Sequence, residues 1–221
     1  GDAVTMNFEF GDDQKMVREQ ARGFLEKNCP PEVVRRVLEG DELYAADLWQ
    51  QVAELGWTAT VIPEAYGGLG MSYLELVVIA EEIGRACAPL PFSSSVYLAT
   101  EAVIKAGTEA QKESWLPKLA SGEAIGTLAY AETAGETSPT SLTAECKDGK
   151  LSGTKTTVAD AEIANFVVVA AASNTGDGAS LYLVATDQDG VSCESLNTVD
   201  PSRNHANITF DNANAELLGN E

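Results

Sequence analysis

The chain has 221 residues, which is room for one large domain or two small ones, and its hydrophobic fraction of 44% can fill a sizeable core. Its 34 acidic residues outnumber its 14 basic residues, giving a formal net charge of -20 at pH 7. A surface this acidic repels nucleic acid and anionic membranes, so neither is expected as a partner.

The cysteines and the single histidine do not predict a metal site. No pair of them has the spacing of zinc ligands, so we expect no bound metal. The sequence also shows no signal peptide and no apolar run of membrane-spanning length, which favours a cytoplasmic protein with reduced thiols. The cysteines are Cys29, Cys87, Cys146 and Cys193, and the histidine is His205.

The first half of the chain carries helical periodicity, with apolar residues at steps of three and four. The run Cys29-Pro30-Pro31 ends the first predicted helix and starts the second. Gly56 ends the third helix. The apolar stripe of the first helix is Met16, Val17, Ala21, Phe24 and Leu25, and that of the third is Leu48, Trp49, Val52 and Leu55.

Three glycines, at positions 67, 68 and 70, precede the fourth predicted helix. Ser72 and Glu75 form a capping box, so this helix begins at about Tyr73. A phosphate-binding loop would need a buried strand before it and usually Lys-Ser or Lys-Thr after it, and neither is present. The glycines therefore predict a tight connection between helices. The buried face expected for the fourth helix is Leu74, Val77, Val78 and Ile83.

Two further helices complete the helical half. The fifth is predicted over Val96–Ala106, ended by Gly107. Thr108 and Gln111 form a second capping box, and the sixth helix that follows is expected to bend or end around Pro117.

From residue 124 onward the pattern changes to short runs rich in β-formers, typical of strands. Asp148-Gly149 predicts a hairpin turn, and residues 174–178 predict a loop between two strands. Helices followed by strands predict an α+β fold, with a bundle of about six helices over residues 6–123 and a small antiparallel β-barrel or sandwich over 124–221. The strand runs are Ile125–Ala131, Leu142–Lys147, Lys150–Val158, Phe166–Ala172, Leu181–Thr186, Val191–Leu196 and Asn207–Phe210.

Three stretches in this order resemble the acyl-CoA dehydrogenase family of flavoenzymes, from about Phe8 to Gly219. The first is residues 62–70, Ile-Pro-Glu-Ala-Tyr-Gly-Gly-Leu-Gly, followed by Glu-Glu-Ile-Gly-Arg at 81–85. The second is residues 107–122, and the third is Asp-Pro-Ser-Arg at 200–203 followed by Ile-Thr-Phe-Asp at 208–211.

The resemblance implies α,β-dehydrogenation of an acyl-CoA thioester with FAD as hydride acceptor. In such chemistry hydrogen bonds to the thioester carbonyl stabilise the enolate-like charge. A carboxylate of raised pKa in a dry cleft takes the α proton. The resemblance also implies a homo- or hetero-oligomer of similar chains, with electron-transfer flavoprotein as a possible electron acceptor. Family chains continue into a second helical bundle that carries the base, so no catalytic residue is assigned here.

The family's flavin motifs match two segments of the strand region. Thr-Glu-Pro-x-x-Gly-Ser-Asp corresponds to residues 131–138, which keep Glu132, and Lys-x-Trp-Ile-Thr corresponds to residues 155–159. Ala131 and Ala159 stand where the family has hydrogen-bonding threonines, and Thr157 stands where it has a tryptophan. These changes predict weakened FAD binding. The flavin positions implied are Tyr130, Ala131, Thr137, Thr157 and Ala159.

The acyl-CoA positions implied by the resemblance are Phe92, Ser94 and Ser138. Ordinary roles compete with several of these assignments. A helix N-cap at Ser93 or Ser94 is an equal alternative to the acyl-CoA role of this stretch. Thr157 and Ala159 are equally candidate strand residues, and Tyr130 is favoured as a core or cross-strand aromatic. Arg203 is favoured as a loop anchor over a CoA contact.

Three functions remain open from the sequence. The first is an acyl-CoA dehydrogenase-like flavoprotein chain that needs the C-terminal bundle for activity. The second is a non-catalytic subunit, paired with a flavin-bearing homologue as in heteromeric family members that include steroid side-chain enzymes. The third is a plain α+β domain with a structural or binding role.

Overall fold

The computed structural model describes residues 9–135, 138–176 and 178–220. Helices fill the first part of the described chain and strands the second, which confirms the predicted α+β class. The helices are α1 Asp12–Asn28, α2 Pro31–Glu39, α3 Ala46–Glu54, α4 Tyr73–Arg85, α5 Glu101–Ala106 and α6 Glu109–Ala120. The strands are β1 Gly126–Ala129, β2 Glu145–Lys147, β3 Lys150–Ala159, β4 Phe166–Ala172, β5 Ala179–Ala185, β6 Val191–Ser195, β7 His205–Asn214 and β8 Glu216–Leu217.

The strands form two four-stranded sheets that pack face to face, so the sandwich alternative of the prediction is the observed one. Their orders are β1-β4-β5-β8 and β2-β3-β7-β6. Pairing is antiparallel except for β1 with β4, which is parallel. The predicted turn at Asp148 and Gly149 joins β2 to β3, with both residues at positive φ as a tight hairpin requires.

Strand β4 is buried on both faces and lies between the helices and the other sheet. Val167 and Val169 pack into the core between the two sheets. Phe166 and Val168 pack into a core shared with helical residues such as Leu116. The molecule is therefore layered as helices, first sheet and second sheet, and the unbroken apolar run of β4 follows from this position.

Part of the predicted buried face of α4 is wrong. Leu74 and Val77 are 55% and 46% exposed, whereas Glu75 and Glu82 are buried. The reason is that α1 packs on the face of α4 that carries the two glutamates and donates hydrogen bonds to both. A paired carboxylate is tolerated inside, and a pattern that counts only apolar side chains misses it.

Two other stripe residues are also exposed. Met16 of α1 is 53% exposed because it lies about 200° around the helix from Gln14, whose side chain bonds to α4. Leu55 is 50% exposed at the C-cap of α3.

The fifth and sixth helices differ from the prediction in their details. A π-helical segment, Ser93–Thr100, precedes α5 and begins three residues before the predicted start. The hydroxyl of Thr100 donates to the carbonyl of Ser95 at 2.7 Å. Helix α6 runs through Pro117 to Ala120, so of the two outcomes expected at the proline, a bend or an end, the end is wrong.

The glycine stretch before α4 is a structural turn, because its amides are already satisfied. Gly67 and Gly70 adopt positive φ, and the amides of residues 67–71 donate to carbonyl oxygens of residues 59–64 at 2.8 to 3.2 Å. Such amides are not available to hold a phosphate. Helix α4 begins at Tyr73 with the predicted capping box. Among the described residues, no helix has the length and apolar character needed to cross a bilayer.

Gly68→Ala is expected to destabilise the protein by about 3 kcal/mol or more, because an added Cβ would lie 1.8 Å from the carbonyl oxygen of Ile62. The matched control is Gly23→Ala in α1, where a Cβ meets nothing within 4 Å and helix propensity predicts a gain of up to about 1 kcal/mol. Urea denaturation of both variants measures the difference. Equal midpoints would contradict the close approach at Gly68.

Candidate functional site

The structure brings the two candidate flavin segments side by side. The amide of Thr156 in β3 donates to the carbonyl of Ala131 at 2.8 Å. The ammonium of Lys155 donates to the carbonyl of Tyr130 at 3.0 Å and to the carboxylate of Glu132 at 2.8 Å. The chain following β1 is thereby fixed against β3, and Tyr130, Ala131 and Thr157 lie in one region.

Glu132 and Lys155 form a buried ion pair, and both side chains also hydrogen-bond to other groups of the protein. The Lys155 side chain is fully buried and that of Glu132 is 11% exposed. Glu132 also accepts from the amide and hydroxyl of Thr143, both at 2.7 Å, and from the amide of Ala144 at 2.8 Å.

These contacts decide the charge state of the pair. Burial alone would raise the pKa of Glu132, but the Lys155 ammonium and the donors of residues 143 and 144 outweigh it and lower the pKa to about 2. Burial lowers the pKa of Lys155, and the carboxylate of Glu132 opposes that change. Glu132 is thus an anion at neutral pH and a poor proton acceptor, which makes the pair a structural clamp.

Thr157 lies on a bulge of β3 and is exposed. Its φ of 54° is in the left-handed region, which is rare for a β-branched residue. The register shift between Lys155 and Val158 creates the bulge, and Asn207 supports it by accepting from the Thr156 hydroxyl at 2.8 Å. Outliers of this kind cluster at functional sites. The side chain therefore stands outside the regular sheet, at the position where the family motif has tryptophan.

Ala159 is partly buried at the end of β3, where its polar contact is made by the backbone. Its carbonyl accepts from the hydroxyl of Thr127 at 2.7 Å, and it pairs with His205 of β7. The Ala159 methyl group offers no hydrogen bond.

The next residue, Asp160, is the centre of a buried cluster that sequence reasoning missed. Its carboxylate accepts from the Ser94 hydroxyl at 2.6 Å, from Arg203 at 2.8 Å and from the side-chain amide of Asn204 at 3.2 Å. Asp160 adopts a φ of 57°. The cluster joins the π-helical segment to β3 and β7, and it confirms Arg203 as a loop anchor.

The N-cap alternative for Ser94 is wrong. Phe92 occupies the N-cap position in helical conformation without a side-chain cap bond, and the Ser94 hydroxyl is engaged with Asp160. Ser94 is fully buried, so its assignment to the acyl-CoA site stays a prediction that its contacts do not favour.

Phe92 is packed in the helical core, beside a cleft of about 330 Å³. Its ring makes edge contacts with Trp49 at 6.5 Å and Tyr97 at 5.5 Å between centroids. Tyr97 and Arg203 also line the cleft. Burial raises the pKa of Tyr97 to about 12, so its hydroxyl stays protonated at neutral pH. The cleft therefore has a mostly apolar lining and one positively charged side chain, that of Arg203.

The remaining predicted positions, Thr137 and Ser138, fall between β1 and β2 in the sequence. Thr137 is outside the described residues. The hydroxyl of Ser138 bonds with that of Thr140 at 2.8 Å, and its carbonyl accepts from the Ser141 hydroxyl at 2.8 Å. Flavin and acyl-CoA roles for these two positions stay predictions.

Comparison with known proteins agrees with the layered fold. Residues 11–123 match the family model described as acyl-CoA dehydrogenase, N-terminal domain. The probable acyl-CoA dehydrogenase YngJ of Bacillus subtilis is 30% identical over 200 residues, which is 86% of this chain and 52% of that protein.

Two solved structures share the fold over nearly the whole chain. The ChsE4-ChsE5 complex from Mycobacterium tuberculosis matches with a TM-score of 0.86 and 25% identity, covering 97% of this chain and 58% of that one. A variant of the Tcur3481-Tcur3483 steroid ACAD matches with a TM-score of 0.85 and 29% identity, covering 95% and 57%.

The helical layer, the β-sandwich and the family model together define an acyl-CoA dehydrogenase-type chain. The protein belongs to the acyl-CoA dehydrogenase family. It spans about half the length of YngJ.

Lys155→Met is expected to lower the free energy of unfolding by about 3 kcal/mol at pH 7, because it leaves the Glu132 carboxylate buried without its cation. Lys147→Met is the matched control, since Lys147 is 71% exposed and pairs with an exposed Glu145, and a change below about 1 kcal/mol is expected. Urea denaturation measures both. A small loss for both variants would show that the clamp is not stabilising.

Proposed function

We propose that this chain forms part of an acyl-CoA dehydrogenase that oxidises an acyl-CoA thioester between its α and β carbons, with FAD as cofactor. The observation that supports this most directly is the pairing of the two flavin-motif segments, through Thr156 with Ala131 and Lys155 with Glu132. The proposed division of labour is a helical domain over 6–123 and a β domain over 124–221.

The proposed flavin position is exposed, but it offers few of the side-chain contacts that the family motifs would supply. Thr157 is exposed on its bulge, which leaves the face of the sheet open at that point. The Lys155–Glu132 clamp holds the two segments together. Their arrangement therefore does not depend on the side chains that would contact the ring. FAD, when bound, would accept the β hydrogen as hydride. What the chain lacks there is an aromatic side chain at 157 and hydroxyls at 131 and 159.

The base that removes the α proton is proposed to lie outside these 221 residues. The two buried carboxylates nearest the candidate flavin segments are both committed to cations. Glu132 is bound by Lys155, which helps lower its pKa to about 2, and Asp160 is bound by Arg203. An effective base needs a raised pKa in a dry cleft. A further part of the protein or a partner chain is the proposed source, and an electron-transfer flavoprotein the proposed electron acceptor of a cytoplasmic enzyme.

A second candidate function is a non-catalytic subunit of a heteromeric dehydrogenase. Replacement of the tryptophan and both threonines of the flavin motifs favours it. Two of the structural matches are themselves described by pairs of chain names, ChsE4-ChsE5 and Tcur3481-Tcur3483. In this reading the flavin and the base belong to the partner.

Titration with FAD, followed by visible absorbance and quenching of flavin fluorescence, distinguishes the two functions. Saturable binding is expected, with Thr157→Trp binding about fivefold tighter, since a stacked aromatic is worth about 1 kcal/mol. Thr157 already occupies the left-handed region, and tryptophan is not β-branched, so the change adds no backbone strain. Thr154→Trp, on the same strand and also exposed, is the control and should not change affinity.

Absence of FAD binding in the natural chain and in Thr157→Trp would overturn the flavoprotein proposal and leave the non-catalytic subunit. Equal gains in the two tryptophan variants would mean that the added ring acts through general hydrophobic binding, away from a flavin position.

An exposed apolar face suits the oligomerisation proposed under both functions. It is defined by Met71, Tyr73, Leu74, Val77 and Leu98, which are 40% to 55% exposed. The Tyr73 hydroxyl donates to Glu101 at 2.7 Å, which places the start of α4 beside the end of the π-helical segment that carries Leu98. Grouped apolar side chains of this kind mark interaction surfaces.

Double substitution of Leu74 and Val77 to glutamate is expected to abolish concentration-dependent self-association of the chain, measured by sedimentation velocity. Leu55→Glu is the control, because Leu55 is 50% exposed but lies at the end of α3, outside the apolar face. A chain that sediments as a monomer at every concentration would contradict self-association through this face. The partner would then be sought among other chains.

A further inference from the structure

Helices α1 and α4 run parallel, and four side-chain contacts join them along their length. Gln14 bonds to Glu75, Arg18 to Glu81, Arg22 to Glu82 and Glu26 to Arg85. Residue numbers rise together in both helices, so the two C-terminal ends lie at the same end of the bundle. Cys29 lies three residues beyond Glu26, just past the end of α1, and Cys87 lies two residues beyond Arg85, just past the end of α4.

The two cysteines share a groove at these ends of the helices. Cys29 and Cys87 both line a groove of about 530 Å³ between the ends of α1 and α4 and the start of α2. Both thiols are free, Cys29 buried and Cys87 exposed. The charge of a Cys87 thiolate is also close enough to raise the pKa of Cys29, in addition to the larger effect of burial.

The backbone conformation of Cys87 is one that usually requires glycine or asparagine. The amide of Cys87 donates to the carbonyl of Gly84 and that of Ala88 to the carbonyl of Ile83, which is a Schellman motif at the end of α4. The residue after the cap in such a motif is left-handed and is usually glycine or asparagine. Here it is Cys87, with a φ of 49°. A cysteine at a position that favours glycine points to a role for the cysteine side chain.

We propose that Cys29 and Cys87 are a reversible dithiol pair, which a low-molecular-weight disulfide oxidises to an intramolecular disulfide across the groove. The thiolate of the exposed Cys87 attacks one sulfur of the oxidant, RSSR, and releases one RS⁻. The thiolate of Cys29 then attacks the Cys87 sulfur of the mixed disulfide and releases the second RS⁻. Two thiols are oxidised, one disulfide is reduced to two thiolates, and the two cysteine protons pass to solvent.

The closing step is expected to be the slower one, because burial raises the pKa of Cys29 and leaves little thiolate at neutral pH. The charged groups that line the groove are Glu26, Arg35 and Arg85. Because the attacking species is the thiolate, its fraction rises as the pH approaches the raised pKa of Cys29. Closure should therefore speed up as the pH rises from 7 to 9.

The test treats the reduced chain with oxidised glutathione, alkylates the remaining thiols and maps the unreduced tryptic peptides by mass spectrometry. Two of the four thiols should be lost, with a peptide pair joining Cys29 to Cys87 that dithiothreitol separates. The oxidised chain should also melt at a higher temperature, because the bond closes a long loop of the unfolded chain.

Two variants make the test specific. Cys87→Ser should abolish both the cross-link and the shift in melting temperature, whereas Cys193→Ser, which removes the other exposed thiol, should leave both unchanged. Glutathione that stays bound to Cys87 while Cys29 is alkylated would overturn the proposal. So would a cross-link found between two chains, or one that survives in Cys87→Ser.

Discussion

The buried pair of Lys155 and Glu132 is the interaction on which the arrangement of the candidate site depends. The glutamate accepts from the lysine and from the backbone that leads into β2, while the lysine also holds the carbonyl of Tyr130. One ion pair thus joins the end of β1, the approach to β2 and the middle of β3. Buried charges are retained where each has its partners, and here those partners are supplied by three separate segments.

The use of one carboxylate to fix several segments limits the chemistry that this carboxylate can perform. A carboxylate used to fix backbone segments must stay ionised, and the same contacts that keep it ionised remove its basicity. Glu132 follows this rule, because its contacts lower its pKa to about 2. Asp160 is likewise bound to a cation, Arg203. The candidate site of this chain is therefore a positioning surface. The role proposed for this surface is to orient a flat ring and an acyl group, with proton abstraction assigned to a group in a different environment.

The sequence predicted the order of elements well because that information is local. Capping residues such as Ser72 and Thr108, the proline pair after α1 and the Asp148-Gly149 turn act within a few residues of themselves. The errors came from tertiary contacts. Glu75 and Glu82 are buried because α1 supplies their partners, and Asp160 is buried because Ser94 and Arg203 arrive from distant parts of the chain. The parallel pairing of β1 with β4 could not be predicted either, because a hydrophobic pattern describes one strand and not its partner.

Strand β4 shows how closely the two halves of the chain are bound together. Its side chains alternate between a core made with the second sheet and a core made with the helices, so each half completes the hydrophobic interior of the other. Separation at residue 123 would leave Phe166 and Val168 facing water along one side of the sandwich, and would strip Leu116 and Leu119 of their cover. Unfolding of this region should consequently be a single cooperative event, in which helices and strands lose structure together.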